Sequence, residues 1–153
     1  MAITVRAAVP ADRAYVVSLA ERLAAFPLPS WRTAAEVVDG DRRALDEWFD
    51  RTPPGEALFV AERDGRPCGC AYLLTLVDYF NQRPHAHLSV LAVSADAEGQ
   101  GVGTALIEAA ESWARQRGSD RLTLNTLADN TRARELYGRR GFVVESLRYV
   151  KPL

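Results

Sequence analysis

Hydrophobic and polar positions recur along this chain with two periods, one of strands and one of helices. Residues 2–7, AITVRA, alternate in strand fashion. Pro10 then opens a helix where a missing N–H costs little, and Val16, Leu19, Ala20 and Leu23 recur at helical spacing to form its inward side. AAFPLPSWR, 24–32, holds two prolines and reads as a loop. A second helix over about 33–50 carries Val37, Val38, Leu45, Trp48 and Phe49, with a candidate break at Asp39-Gly40-Asp41 and an end at RTPPGE.

A strand-rich middle follows. The strand 57–62 turns at Asp64-Gly65, a strong hairpin signal, into a strand over about 67–79. NQRP turns the chain again into HAHLSVLAV, 85–93. Leu106, Ala110 and Trp113 mark one face of the next helix, with Arg115 and Arg117 near its end and Gly118 as its stop. DRLTLNTL, 120–127, is a strand with a polar alternate face. Asn130 or Thr131 caps a short helix ending at Gly141, and FVVESLRYVKPL supplies one or two closing strands. The order β-α-α-β-β-β-α-β-α-β predicts a single α/β domain over 1–153, with an α+β mixed sheet: an antiparallel first half, then a β-α-β unit.

Composition narrows the function. The 153 residues are 48% hydrophobic and 25% charged, ordinary globular usage, with a net charge of -1. No basic excess is present to displace counterions from nucleic-acid phosphates, and RARELYGRR at 132–140 is the one local basic patch. MAITVRAAVPAD contains no long apolar run, so neither a signal peptide nor a membrane span is expected at the start. Cys68 and Cys70, spaced C-x-C, sit badly for bridging each other, and a reduced cytoplasmic protein is expected.

Chemistry concentrates in LAVSADAEGQGVGTAL. Gly99, Gly101 and Gly103 strip side chains from a turn that joins a strand to a helix. Unpaired N–H groups at the positive end of a helix dipole suit a phosphate, and absent Cβ atoms let its oxygens approach. A P-loop needs a lysine after its glycines, whereas the only lysine is Lys151. The dinucleotide spacing G-x-G-x-x-G also fails, since the sixth residue from Gly99 is Thr104.

This stretch resembles the acyl-CoA-binding segment of the GNAT (general N-acetyltransferase) superfamily, with Glu98-Gly99-Gln100-Gly101-Val102-Gly103 on its glycine pattern. NTLADNTRARELYGRRGF resembles the family's second segment, and ITVRAAVPAD and YVKPL fit its two ends. The resemblance implies a central, mostly antiparallel sheet splayed at the cofactor site. It implies transfer of an acetyl group from acetyl-CoA directly to a primary amine of a small molecule, without an acyl-enzyme and without a metal. A protein or peptide acetyltransferase and a non-catalytic acyl-CoA-binding domain are the alternatives, and a homodimer is compatible with the family. Its cofactor contacts fall on Leu91, Ala92, Val93, the 98–103 turn, Thr104 and Asn130, with a main-chain N–H of 90–93 as oxyanion donor. Asn130 serves equally well as a plain helix cap. Glu98 departs from the pattern, which usually has arginine or glutamine there; a carboxylate at 98 repels pyrophosphate unless it points outward.

Acetyl transfer requires a base for the amine, a donor for the oxyanion and a proton for the departing thiolate. Tyr137 matches the family tyrosine placed to protonate the sulfur; at helical spacing from Ala133 and Leu136 it also reads as a core aromatic. His87 falls where some members carry a strand glutamate and the serotonin N-acetyltransferases a histidine. It is the candidate base, with His85 acting through water as the substitute and a plain structural histidine as the competing reading. By family placement the acceptor site draws on Phe26, Trp31, Asp78, Tyr79 and Phe80. The pairs Cys68/Cys70 and His85/His87 suggest zinc, but a turn near Asn81 sets His87 opposite about Thr75. That separates the pairs by on the order of 17 Å at strand rise, which argues against a metal.

Overall fold

The computed structural model describes residues 2–153; Met1 of the expected domain lies outside them. Five strands form one sheet in sequence order: β1 (Ile3–Ala7), β2 (Ala57–Arg63), β3 (Arg66–Val77), β4 (Pro84–Val93) and β5 (Leu122–Leu124). The first four pair antiparallel, and β5 joins β4 in parallel. Asp64 and Gly65 both adopt positive φ, 53° and 73°, the backbone a two-residue hairpin between β2 and β3 needs.

The inward alternation of the strands builds a core on each face. Helix α1 (Arg13–Ser18), flanked by 3₁₀ turns at Pro10–Asp12 and Leu19–Ala24, and helix α2 (Ala34–Arg51) cover one face. There Val16, Leu19, Val38 and Leu45 pack on Val60, Cys70, Tyr72 and Val90. On the other face α3 (Val102–Gln116) sets Val102, Leu106, Ile107 and Ala110 against Ala71, Leu73 and Leu88, with Leu136 and Tyr137 of α4 (Thr131–Arg139) packed alongside.

Four expectations change. The first helix is three short pieces, and the Asp12 carboxylate fixes its start by accepting from Val9 N at 2.8 Å and from Arg6 at 2.7 and 2.9 Å. Helix α2 runs unbroken through Asp39-Gly40-Asp41: a Thr33–Glu36 capping box starts it, and an exposed helical glycine costs only about 1 kcal/mol. Strand β5 is three residues long, not eight. No strand forms over 142–153, so FVVESLRYVKPL does not close the sheet; a strand requires a partner ladder, and this segment leaves α4 with its apolar side chains in solvent.

Two features open the sheet next to α3. Strand β5 pairs with β4 only from Ala86 to Leu88, while β4 continues to Val93, so the two strands part and 89–93 has a partner on one side alone. The β3–β4 register also shifts between Tyr72 and Leu73, where Ser89 is the unmatched residue, a bulge that bends β4 at the parting.

Gly69 of β3, opposite Val93 at the end of β4, lets α3 pack directly on the sheet. A Cβ built there would stand 2.9 Å from Val102 Cγ1, 3.0 Å from the Ala92 carbonyl oxygen and 3.1 Å from Leu106 Cδ1. The backbone oxygen cannot yield, so a methyl group overpacks the joint. Gly69→Ala is therefore expected to lower unfolding stability by about 1–3 kcal/mol, read from the midpoint of a urea melt; an unchanged or raised midpoint contradicts this packing.

Candidate active site

Helix α3 is the one long helix that begins without a side-chain cap. Thr33 accepts from Glu36 N at 3.2 Å at the start of α2, and Asn130 Oδ1 accepts from Ala133 N at 3.3 Å at the start of α4. The cap position of α3 is Gly101, whose φ of 86° is left-handed and which has no side chain to offer. Gly99, at φ 73°, makes the preceding bend. Ala105 N is the first amide to find an acceptor in the helix, Gly101 O at 3.0 Å. The N–H groups of Val102, Gly103 and Thr104 precede it, at the positive end of a 15-residue helix. Gln100 braces the turn through Nε2 to Asp96 O at 3.1 Å. Such an end is electrostatically suited to an anion.

Glu98 does not oppose that anion alone. Its carboxylate accepts from Arg22 Nη2 on one oxygen and from Arg132 Nη1 at 2.9 Å on the other. Two guanidiniums and one carboxylate leave one net positive charge beside the turn. Arg22 also donates from Nε to Val93 O at 3.1 Å, tying the end of β4 to the same cluster. Arg132 Nη2 lies 3.7 Å from the place of a Gly99 Cβ. Sequence reasoning missed both arginines. Arg22 has no motif around it and arrives by a tertiary contact, whereas Arg132 begins the basic stretch noted above.

Helix α4 lies close against α3, since a Cβ on Gly103 would meet Leu136 Cδ2 at 3.0 Å. That contact brings Asn130, Arg132 and Tyr137 to the glycine turn's side of the molecule. Asn130 is spent on its cap. Tyr137 packs edge-on against Phe142, 5.7 Å between centroids, and burial pushes its phenol above the usual value of about 10. It stays protonated at neutral pH. Of the strand positions, Ala92 is buried toward α1 and α2, while Leu91 and Val93 pack half-buried on the α3 side.

His85 and His87 are both 9% exposed on β4. His87 lies opposite Leu74, not Thr75 as the turn position suggested, because the last pair before the turn is Val77 with Pro84. Leu74 packs with the α1–α2 core, so both imidazoles lie on that face. One hydroxyl joins them, another feature sequence did not disclose: Thr123 Oγ1 is 2.8 Å from His87 Nδ1 and 3.0 Å from His85 Nε2. The link between the two rings is Thr123 of β5. Burial, and then the neighbouring His85, hold His87 below its ordinary value near 6.5. His85 Nδ1 is buried without a partner.

The remaining candidates disperse. Phe26 is half-buried and Trp31 exposed in the 25–33 loop. The Asp78 carboxylate accepts from Phe80 N at 2.8 Å and Asn81 N at 3.0 Å, which shapes the β3–β4 turn. Tyr79 and Phe80 stack edge-on at its exposed tip. Cys70 pairs across from Ala92, four positions along β3 from the partner of His87. Among the described residues no three His, Cys, Asp or Glu side chains converge as a metal site. Burial pushes the Cys70 thiol up to about 12 and Cys68 in the same direction, so neither is a nucleophile at neutral pH. No helix among the described residues is long and apolar enough to cross a membrane.

Comparison with known proteins adds three findings. The family model described as "Acetyltransferase (GNAT) family" matches residues 19–142. A mycothiol acetyltransferase of Clavibacter sepedonicus is 35% identical over 104 residues, 68% of this chain and 31% of that one. The chain spans about a third of the length of the curated relatives it matches first. Among solved structures, a putative acetyl transferase from Pyrococcus furiosus superposes with a TM-score of 0.77 at 22% identity, covering 99% of this chain and 100% of that one. An aminoglycoside N-acetyltransferase in complex with CoA gives 0.75 at 21% identity, covering 99% and 95%.

The shared Thr123 hydroxyl yields a prediction. Titrated by nitrogen NMR, His87 is expected to protonate below pH 6.5. Thr123→Val is expected to lower that midpoint further, because the imidazolium loses an acceptor for its Nδ1–H. A midpoint at or above the ordinary value, or one indifferent to Thr123→Val, would sink the coupling.

Proposed function

The chain belongs to the acetyltransferase (GNAT) family, and on that premise we propose that it transfers the acetyl group of acetyl-CoA directly to a primary amine of a small molecule. The observation that carries the reading is the uncapped start of α3, with its ring of Arg22, Glu98 and Arg132, which Arg22 ties to Val93 O at the end of β4. The amides of 102–104 and the two guanidiniums bind the pyrophosphate. The one-sided stretch 89–93 of β4 pairs with the pantetheine arm, and a main-chain N–H of 90–93 donates to the thioester oxygen as charge develops there. Acetyl-CoA supplies the activated acyl group.

His87 takes the amine proton. It can do so at Nε2 only if Nδ1–H donates to Thr123, leaving the second nitrogen with its lone pair. Its lowered pKa keeps that nitrogen free at neutral pH. Tyr137 gives its phenolic proton to the sulfur as the carbon–sulfur bond breaks. A water-poor site also destabilises the leaving thiolate and raises its demand for that proton. The inert cysteines fit direct attack.

The two arginines that hold Glu98 support acyl-CoA binding, and the Thr123-linked His87 together with Tyr137 favours catalysis over binding alone. Relatives named for mycothiol and for aminoglycosides make amines of those kinds the first acceptors to try. The assay is release of free CoA thiol across a panel of amines, where turnover with at least one small amine is expected and silence across all of them counts against the reading. In the same assay Tyr137→Phe is expected to lower kcat about a hundredfold or more while the Kd for acetyl-CoA holds; an unchanged kcat removes Tyr137 as the acid.

A further inference from the structure

One general base needs one imidazole, yet β4 buries two. His85 and His87, at strand period two, share the α1–α2 face and are each 9% exposed. Thr123 of β5 pairs with His87, and its hydroxyl reaches both rings, 2.8 Å from His87 Nδ1 and 3.0 Å from His85 Nε2. A hydroxyl has one proton to give and lone pairs to receive with. When His87 Nδ1–H donates to Thr123, the hydroxyl proton goes on to His85 Nε2. With the direction reversed, His85 Nε2–H donates and the hydroxyl proton points at His87 Nδ1. The three groups form a wire with two settings, and a proton entering at His87 Nε2 turns the first into the second.

The far end of that wire is closed. His85 Nδ1 is buried and has no hydrogen-bond partner among the described residues. A proton that reaches this ring has no onward acceptor. The charges nearby favour it there over His87. The amides of Asn81 and Phe80, and after them Arg121 and His85 itself, hold Asp78 below the ordinary carboxylate range, so an anion stands within electrostatic reach of His85. Arg121 bridges that carboxylate at 3.4 Å, and Arg117 of the α3 side, which lines a small cavity with His85, is stacked on Trp113 at 4.9 Å. His87 has no carboxylate in hydrogen-bond contact among the described residues, and both burial and His85 oppose its charge.

An ammonium that becomes an acetamide loses two protons from nitrogen. One replaces the proton that Tyr137 gives the sulfur, and one is left over. Resting on the reading of His87 as the base, we propose that the left-over proton is stored on His85, delivered through the Thr123 hydroxyl. His87 Nε2 takes the proton from nitrogen, His87 Nδ1–H passes to Thr123 Oγ1, and the hydroxyl proton passes to His85 Nε2. Each transfer breaks one bond to hydrogen and makes one, and the single positive charge moves from His87 to His85. His87 is left neutral beside the reacting centre. Because Nδ1 of His85 leads nowhere, the proton returns along the same path after the product departs and leaves through His87 Nε2. Thr123 and His85 touch no substrate; they set where the proton rests.

Ring-nitrogen NMR of the free protein needs neither acetyl-CoA nor an amine, so it separates the store from the acetyl-transfer reading. As the pH is lowered, the imidazolium is expected first on His85. At that same midpoint the proton of His87 is expected to switch from Nδ1 to Nε2. In Thr123→Val the switch is expected to vanish, and in Thr123→Ser, which keeps the hydroxyl, to return. His85→Gln can still hydrogen-bond Thr123 but holds no proton. It is expected to lower kcat about tenfold while the KM for acetyl-CoA holds. An imidazolium that forms first on His87, a His87 tautomer unmoved at the His85 midpoint, a switch that survives Thr123→Val, or full kcat in His85→Gln would each overturn the store.

Discussion

A missing methyl group at residue 69 governs where everything else goes. With no Cβ on β3 at that point, Val102 and Leu106 press directly onto the sheet opposite the end of β4. Gly103 repeats the device one layer further out, letting Leu136 and so α4 lie close on α3. These two close contacts gather the glycine turn, Arg132 and Tyr137 on the α3 face, whereas His85 and His87 stand on the α1–α2 face.

Electrostatics refine what packing positions. An uncapped helix end is a cost the protein avoids at α2 and α4, where Thr33 and Asn130 supply oxygen. At α3 no side chain fills it, and in the proposed reading acetyl-CoA does. Glu98 looks at first like an error in an anion site. Held between Arg22 and Arg132, it instead fixes two long, flexible guanidiniums beside the turn while leaving a net positive charge. A carboxylate used this way organises donors; it does not compete with the ligand. The histidine pair follows a similar economy, since one hydroxyl on β5 sets the orientation of both rings.

Much of this was legible in the residues, for physical reasons that also explain what was not. Asp64-Gly65 announces its hairpin because few other pairs tolerate two positive φ values in a row. The glycine turn and the helix behind it are local, and local patterns survive in sequence. The pairing of His87 with Leu74 depends on the six-residue connection at 78–83, and a one-residue error there shifts the partner by one. Arg22 and Thr123 act through contacts 76 and 36 residues away in the chain, which no spacing rule reports. The closing strands failed differently: the residues are strand-like, but no partner edge within the chain receives them.

In the proposed reading the bare backbone at the start of α3 is an anion cradle for acetyl-CoA. Amide resonances followed through a titration of the nitrogen-labelled protein with acetyl-CoA test it residue by residue. The largest displacements are expected at residues 99–104 and at Arg132, with smaller ones along 89–93. Displacements confined to other surfaces, or none at saturating ligand, would contradict it.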